Sequence, residues 1–300
     1  MLSDADPCGF QHLPHNKFRL LAPAKINLFL HITGKRADGY HLLQSLMVFV
    51  DIGDDLDFAP HDGLFLDVDG AFAGEMPQAA NNLVYKAAAL LAEEYKTTMR
   101  GAVLLTKNLP VASGIAGGSS DAATALRGLA KLWGLPEEQE RMLRLAQELG
   151  ADVPACYIGK PVWAEGIGEK VTRLQEMPPM HFVLVNPMIA TPTPEVFAHF
   201  KRVFSPPIQF SGRRKTMHEW IADLKIYRND LTEAALEVCP EIAQVLRALQ
   251  ETPNCHLARL SGSGATCFGM YDSPAAAIAA VNKLKQQYPR WWIAPANLVK

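Results

Sequence analysis

Neither sign of charge is in excess in this chain: 29 Lys+Arg stand against 31 Asp+Glu over 300 residues, a formal net charge of -2. Binding to a phosphate backbone draws on a cationic surplus that is missing here, so nucleic acid is not an expected partner. Cysteine is scarce as well. Cys8, Cys156, Cys239, Cys255 and Cys267 are odd in number, scattered and never arranged as C-x-x-C. That argues against a disulfide framework and a zinc site, and it fits a reducing cytoplasm. No apolar run approaches the roughly 18 residues of a membrane span. Met1 to Asn16 is polar, contains proline and has no apolar h-region, so neither a membrane anchor nor a secretory leader is expected. Internal repeats, low-complexity tracts and long charge runs are also missing.

What is present is an ordinary globular composition, 49% hydrophobic and 20% charged, in a chain long enough for two domains at roughly 150 residues each. Ile26, Leu28, Leu30 and Ile32 alternate with Lys25, Asn27, Phe29 and His31, which predicts a strand with Lys25, Asn27 and His31 on one face. Gly34 to Gly39 carries turn residues, so Tyr40 to Val50 is expected to return as the second arm of a hairpin. Leu64 to Val68 reads as a further strand. Asn81-Asn82 is an N-cap signal before an Ala/Leu-rich helix, and Gly101 to Thr106 reads as a buried strand. Helices are expected over Asp121 to Trp133 and Glu137 to Leu149, and short strands at Val162 to Ala164 and Val171 to Arg173.

Met177-Pro178-Pro179 is the best boundary, because two prolines break regular structure and a fresh apolar run begins at His181. Beyond it come a strand at His181 to Asn186 and helical segments between Pro194 and Gln250. Strands at Leu257 to Leu260 and Ala265 to Tyr271, a helix at Ala275 to Gln287 and a strand at Trp291 to Ala294 complete the pattern β-α-β-β-α-β, a ferredoxin-like order.

The segment richest in chemistry is Leu109-Pro110-Val111-Ala112-Ser113-Gly114-Ile115-Ala116-Gly117-Gly118-Ser119-Ser120-Asp121, between a strand and a helix. Small residues let the backbone approach a ligand, and helix N-terminal amides with their macrodipole favour an anion, so phosphate is the natural guest. No Gly-Lys-Ser/Thr follows, which excludes a Walker A loop, and the glycine spacing fails the dinucleotide fingerprint. The alternative is a flexible connection capped by Ser119 or Ser120. His218-Glu219-Trp220-Ile221-Ala222 lacks the second histidine of a zincin motif, and Arg213-Arg214-Lys215 is too short for a nucleic-acid patch.

With Pro23-Ala24-Lys25-Ile26-Asn27-Leu28-Phe29-Leu30, Gly34 to His41, Gly150-Ala151-Asp152-Val153-Pro154 and Leu260-Ser261-Gly262-Ser263-Gly264-Ala265, this loop resembles the GHMP kinase superfamily. Within it the chain is similar to the 4-diphosphocytidyl-2-C-methyl-D-erythritol kinase family of non-mevalonate isoprenoid synthesis. Two departures are visible: Ala116 stands where the family usually has glycine, and residues 1 to 16 extend beyond its usual start.

The resemblance implies an α+β GHMP kinase fold, with an N-terminal ribosomal protein S5 domain 2-like domain that binds ATP (residues 1–178) and a C-terminal ferredoxin-like domain (179–300). It implies phosphorylation of the substrate 2-hydroxyl by ATP with Mg2+, in a cytoplasmic monomer or homodimer. No carboxylate identifies itself as a metal ligand. Asp152 would be the base and Lys25 the cation beside it. ATP would be held by Pro110, Val111, Ala112, Ser113, Gly114, Ile115, Ala116, Gly117, Gly118, Ser119 and Ser120, with Lys107 near the adenine. The cytidyl substrate would be held by Asn27, Tyr40, His41 and Phe197, with cytosine between Tyr40 and Phe197, and by the second glycine loop, Gly262, Ser263 and Gly264.

Read without the resemblance, Asp152 is a turn or helix-cap carboxylate and Lys25 a surface lysine at a strand start. Phe197 is then core with Val196 and Phe200, and Ser261 to Gly264 a hairpin turn. Two other functions fit the phosphate loop: another GHMP small-molecule kinase of homoserine or mevalonate type, and a noncatalytic nucleotide-binding regulator. Tyr40 and His41 speak against the first, since a substrate without a base needs no stacking pair; Lys25 and Asp152 together speak against the second.

Overall fold

The computed structural model of the protein describes residues 9–75, 82–136, 138–174, 177–201, 203–210, 214 and 216–299. Cys8, Asn81, Glu137, Arg213 and Lys215 lie outside them. The chain divides into two compact units that interleave in sequence. One holds the chain up to Ala24 with Ile52–Val111 and Ala116–Gly159, the other Lys25–Asp51, Ala112–Ile115 and the chain from Lys160 onward.

In the first unit, β1 (Gln11–Leu13) pairs antiparallel with the start of β2 (Lys17–Lys35). The far end of β3 (His41–Ala59) pairs antiparallel with β5 (Gly101–Thr106), and β4 (Leu64–Asp69) runs parallel to β5. Phe10 stacks on Phe18, with the Lys131 ammonium 3.5 Å from the Phe10 ring centre, so part of the expected N-terminal extension packs on the fold. Helices α1 (Leu83–Tyr95), α2 (Gly117–Trp133), α3 (Gln139–Leu149) and α4 (Val153–Ile158) complete the unit. Asn82 caps α1 as its residue type predicts, its Oδ1 accepting from Val84 N at 2.9 Å. Gly128 lets α2 approach β3, because a Cβ there would lie 2.1 Å from Phe58 Cζ.

In the second unit, Leu43–Met47 of β3 pairs antiparallel with β6 (Val162–Gly166), and β6 with β7 (Lys170–Arg173). A four-stranded antiparallel sheet follows, in the order β11 (Trp292–Asn297), β8 (His181–Asn186), β10 (Cys267–Tyr271), β9 (Cys255–Leu260). Helices α5 (Thr193–Ala198), α6 (Met217–Leu224), α7 (Thr232–Val238) and α8 (Glu241–Gln250) lie between β8 and β9 in the chain, and α9 (Pro274–Gln287) between β10 and β11. That order and connectivity make the ferredoxin-like arrangement. Its core joins Val183, Val185, Leu260 and Cys267 to Ile242, Val245, Leu249, Val281 and Leu284. Thr216 and Glu219 form a capping box at the start of α6, so the His218-Glu219 dipeptide opens a helix.

Three local expectations change. Helix α2 begins at Gly117, four residues before Asp121, since a first turn of Gly and Ser carries no apolar period to reveal it. Strand β3 runs to Ala59 rather than Val50, its acidic stretch Asp51 to Asp57 hiding the continuation. His31 does not lie on an open polar face: it is buried, its ring against Phe29 and Tyr227.

Candidate active site

In the second unit the alternation of β2 puts Lys25 and Asn27 on one face, and both are buried. Lys25 Nζ donates to Asn27 Oδ1 at 2.7 Å, and Asn27 Nδ2 donates to Ser45 Oγ at 2.8 Å. Lys25 is therefore no surface lysine. The backbone N–H of Asn27 donates to Ser261 Oγ, which in turn donates to the Gly114 carbonyl at 3.1 Å. Lys25 N donates to Ile115 O and Thr266 N to Ser113 O, each at 3.0 Å. Residues 113–115 of the phosphate loop are thus strapped to β2 and to the glycine loop Ser261 to Gly264. Gly114 has φ +77, and a Cβ on it would lie 2.4 Å from Ser261 O and 2.8 Å from Gly264 N, so glycine is required by backbone shape and by close approach. Ser263 Oγ meets Thr193 Oγ1 at 2.8 Å.

In the first unit the remaining loop residues enter α2. Ala116 occupies its N-cap with φ 54 and ψ 35 and has no side-chain acceptor for the helix amides. The first intrahelical bond runs from Ser120 N to Ala116 O, so the amides of Gly117, Gly118 and Ser119 precede the helical ladder and suit an anion. Ser120 donates its hydroxyl to Pro23 O at 2.8 Å, so it does not cap the helix. Lys107, expected near the adenine, is buried, its ammonium on Asp54 and on Asp121. Asp152 occupies the N-cap position of α4 but makes no capping bond with its side chain. The helix-cap alternative is met in position and not in bonding. Pro154, at the second helical position, has no N–H to be satisfied there.

Around the residues expected to hold the base, Gly39, with φ 93, and Asp38, which accepts from Tyr40 N at 3.3 Å, shape the hairpin tip. Tyr40 is 60% exposed. His41 stacks on Phe197 with centroids 5.3 Å apart and planes at 28°, and meets Phe200 edge-on. The ring on Phe197 is therefore His41. Phe197 also packs at the border of the core, so both readings of it hold in part. Burial, and secondarily Lys35, lower the His41 pKa. The neutral imidazole presents one donor and one acceptor.

Ser45, Thr193 and Asn229 also order these segments, by hydrogen bonds to Asn27, Ser263 and the Leu260 carbonyl. Asn229 Nδ2 donates to the carbonyls of Leu260 and Gly262, at 2.9 and 2.7 Å, and orders the second glycine loop. Ser45 was findable in principle, as a polar residue on the hairpin arm facing Asn27; Arg228-Asn229-Asp230 carries no local signal. Among the described residues there is no group of three His, Cys, Asp or Glu that could hold a metal.

Residues 82–160 match the model of the GHMP kinases N terminal domain and residues 211–290 that of the GHMP kinases C terminal domain. The 4-diphosphocytidyl-2-C-methyl-D-erythritol kinase of Paramagnetospirillum magneticum is 47% identical over 282 residues, 94% of this chain and 99% of that protein. Its counterpart in Dinoroseobacter shibae is 46% identical, over 92% of this chain and 93% of its own length. The crystal structure of a 4-(cytidine 5'-diphospho)-2C-methyl-D-erythritol kinase superposes with a TM-score of 0.77 at 32% identity, covering 94% of this chain and 99% of that one. Homoserine kinase from Cytophaga hutchinsonii, at 16% identity and a TM-score of 0.70 over 96% of each chain, shares the fold. With this likeness along nine-tenths of its length, the chain belongs to the 4-diphosphocytidyl-2-C-methyl-D-erythritol kinase family of the GHMP kinases.

Proposed function

We propose that the protein transfers the γ-phosphate of ATP to the 2-hydroxyl of 4-diphosphocytidyl-2-C-methyl-D-erythritol. The observation that carries this reading is the identity of 47% over 94% of the chain to a kinase of that name. In the proposed chemistry Asp152 takes the proton of the 2-hydroxyl, the oxygen attacks the γ-phosphorus, and ADP leaves. Lys25, held by Asn27, lowers the hydroxyl pKa and offsets charge developing in transfer. The amides of Gly117, Gly118 and Ser119 take the nucleotide phosphates, with Pro110 to Ala116 as the rest of the loop. Neutral His41 hydrogen-bonds the edge of cytosine, whose ring stacks on Tyr40 and Phe197, and Gly262 to Gly264 line the substrate. Magnesium would accompany ATP and supply charge neutralisation at its phosphates.

The proposed division at 178 falls between the matches to the N- and C-terminal domain models at residues 82–160 and 211–290, with ATP binding assigned to residues 1–178. No helix among the described residues is long and apolar enough to cross a membrane, and a cytoplasmic location is part of this proposal.

The test is ATP consumption with the cytidyl alcohol beside homoserine and mevalonate, with CMP as inhibitor. CMP should compete with the alcohol and not with ATP. Failure of CMP to compete even at millimolar concentration would refute the cytosine site. Replacing Tyr40 by Ala should mainly raise KM for the alcohol, since stacking acts on ground and transition states alike.

A further inference from the structure

Three charged side chains that the proposed chemistry does not use are buried together in the first unit. Lys107, Asp54 and Asp121 have side chains 2%, 0% and 2% exposed. Lys107 Nζ donates to Asp54 Oδ2 and, at 2.7 Å, to Asp121 Oδ2. Asp54 Oδ1 accepts the backbone N–H groups of Asn108 and Leu109 at 2.6 and 2.8 Å, the two residues before Pro110. Gly117 rests on the same cluster: a Cβ there would lie 3.5 Å from both Asp54 Oδ2 and Lys107 Nζ. Asp121 stands one helical turn further along α2. One cluster therefore touches the chain where it enters the phosphate loop and where it leaves it.

Two carboxylates share one ammonium away from water. With both ionised, an unmatched negative charge would sit under the helix start expected to receive phosphate. The two carboxylates are held differently. Asp54 has an ammonium and two amides directed at it. Asp121 receives only Lys107, and its Oδ1 has no hydrogen-bond partner among the described residues. Burial pushes the Asp121 carboxyl up to about 8, Lys107 opposing and Asp54 adding to the rise. For Lys107 burial lowers the pKa, and the carboxylates around it outweigh that and raise it.

We propose that Lys107, Asp54 and Asp121 are positioning residues that clamp the two ends of the phosphate loop and so set ATP affinity. Lys107 acts through the loop, its ammonium held by the two carboxylates. This rests on the phosphoryl-transfer reading above.

The two carboxylates should respond oppositely to the same substitution. In Asp54→Asn the amide has one acceptor atom and one donor atom, so it cannot accept from both the loop amides and Lys107. In Asp121→Asn the amide is nearly isosteric with the carboxyl group. With ATP and the cytidyl alcohol, Asp54→Asn and Asp121→Ala should raise KM for ATP at least about tenfold with kcat within about threefold, while Asp121→Asn stays within about threefold of the parent in KM. Equal KM values in Asp121→Ala and Asp121→Asn would overturn the proposal, as would a fall in kcat without a rise in KM. Where Asp54→Asn gives no cooperative melt, the comparison of Asp121→Ala with Asp121→Asn decides alone. A parent that turns over no cytidyl alcohol refutes the functional reading instead, and the cluster is then judged by the same ratios in the Kd for ATP.

Discussion

Ala116 gives the most direct test of the backbone described here, because its φ of 54 and ψ of 35 place an L residue in the left-handed region. That conformation costs roughly 1–2 kcal/mol for a residue with a Cβ, through its contact with the following carbonyl oxygen. Ala116→Gly removes this cost. It also gives the unfolded chain more freedom, which returns roughly 0.5–1 kcal/mol. The net expectation is a stabilisation of about 0.5–1 kcal/mol. For 300 residues, an unfolding entropy near 2.1 cal/mol/K per residue gives about 0.6 kcal/mol per degree, so Tm should rise by about 1–2 °C. The measurement is differential scanning calorimetry of parent and variant at matched concentration. Ala123→Gly is the control: Ala123 is buried in the interior of α2, where the change costs about 1 kcal/mol in helix propensity alone and should lower Tm. A fall in Tm for Ala116→Gly as large as that of the control would refute the left-handed assignment.

Two further tests address the loop and the chemistry. A Cβ on Gly118 would meet nothing closer than Leu83 Cδ1 at 3.6 Å. Gly118→Val should therefore melt like the parent while its KM for ATP rises; loss of the cooperative melt would mark a structural turn. Gly114→Ala meets backbone atoms at 2.4 and 2.8 Å and should lower Tm by several degrees, a calorimetric result distinct from that of Gly118→Val. Asp152→Asn should lower kcat by roughly 10²–10⁴-fold with little change in ATP affinity. Lys25→Met should also lower kcat, and steady-state kinetics of the double variant should show less than the product of the two losses, since groups acting on one transition state are coupled. Full activity in Asp152→Asn would remove the base and leave positioning and electrostatics as the whole of catalysis.

The sequence alone determined those features whose cause lies within a few residues. Alternation over Ile26 to Ile32 specified the face shared by Lys25 and Asn27. Asn82 announced the start of α1, and Gly101–Thr106 and His181–Asn186 are strands within the expected bounds. Five short motifs, in order along the chain, were enough to point to the family. Tertiary structure decided what those residues touch. Asn27 meets Ser261 across 234 positions, and no periodicity of 2 or 3.6 extends so far. Lys25 is buried, its ammonium on Asn27 and its backbone N–H on the Ile115 carbonyl. Lys107, given as a nucleotide contact by resemblance, has its charge matched by Asp54 from 53 positions before and Asp121 from 14 after. The start of α2 at Gly117 was equally illegible, since glycine and serine carry no pattern and the helix there is held by Ala116 in a left-handed cap and by Ser120 on Pro23. Local pattern reports backbone conformation and burial, because these depend on nearest neighbours. Charge state and hydrogen-bond partners depend on which distant segments exclude water from a site, and only the folded chain decides that.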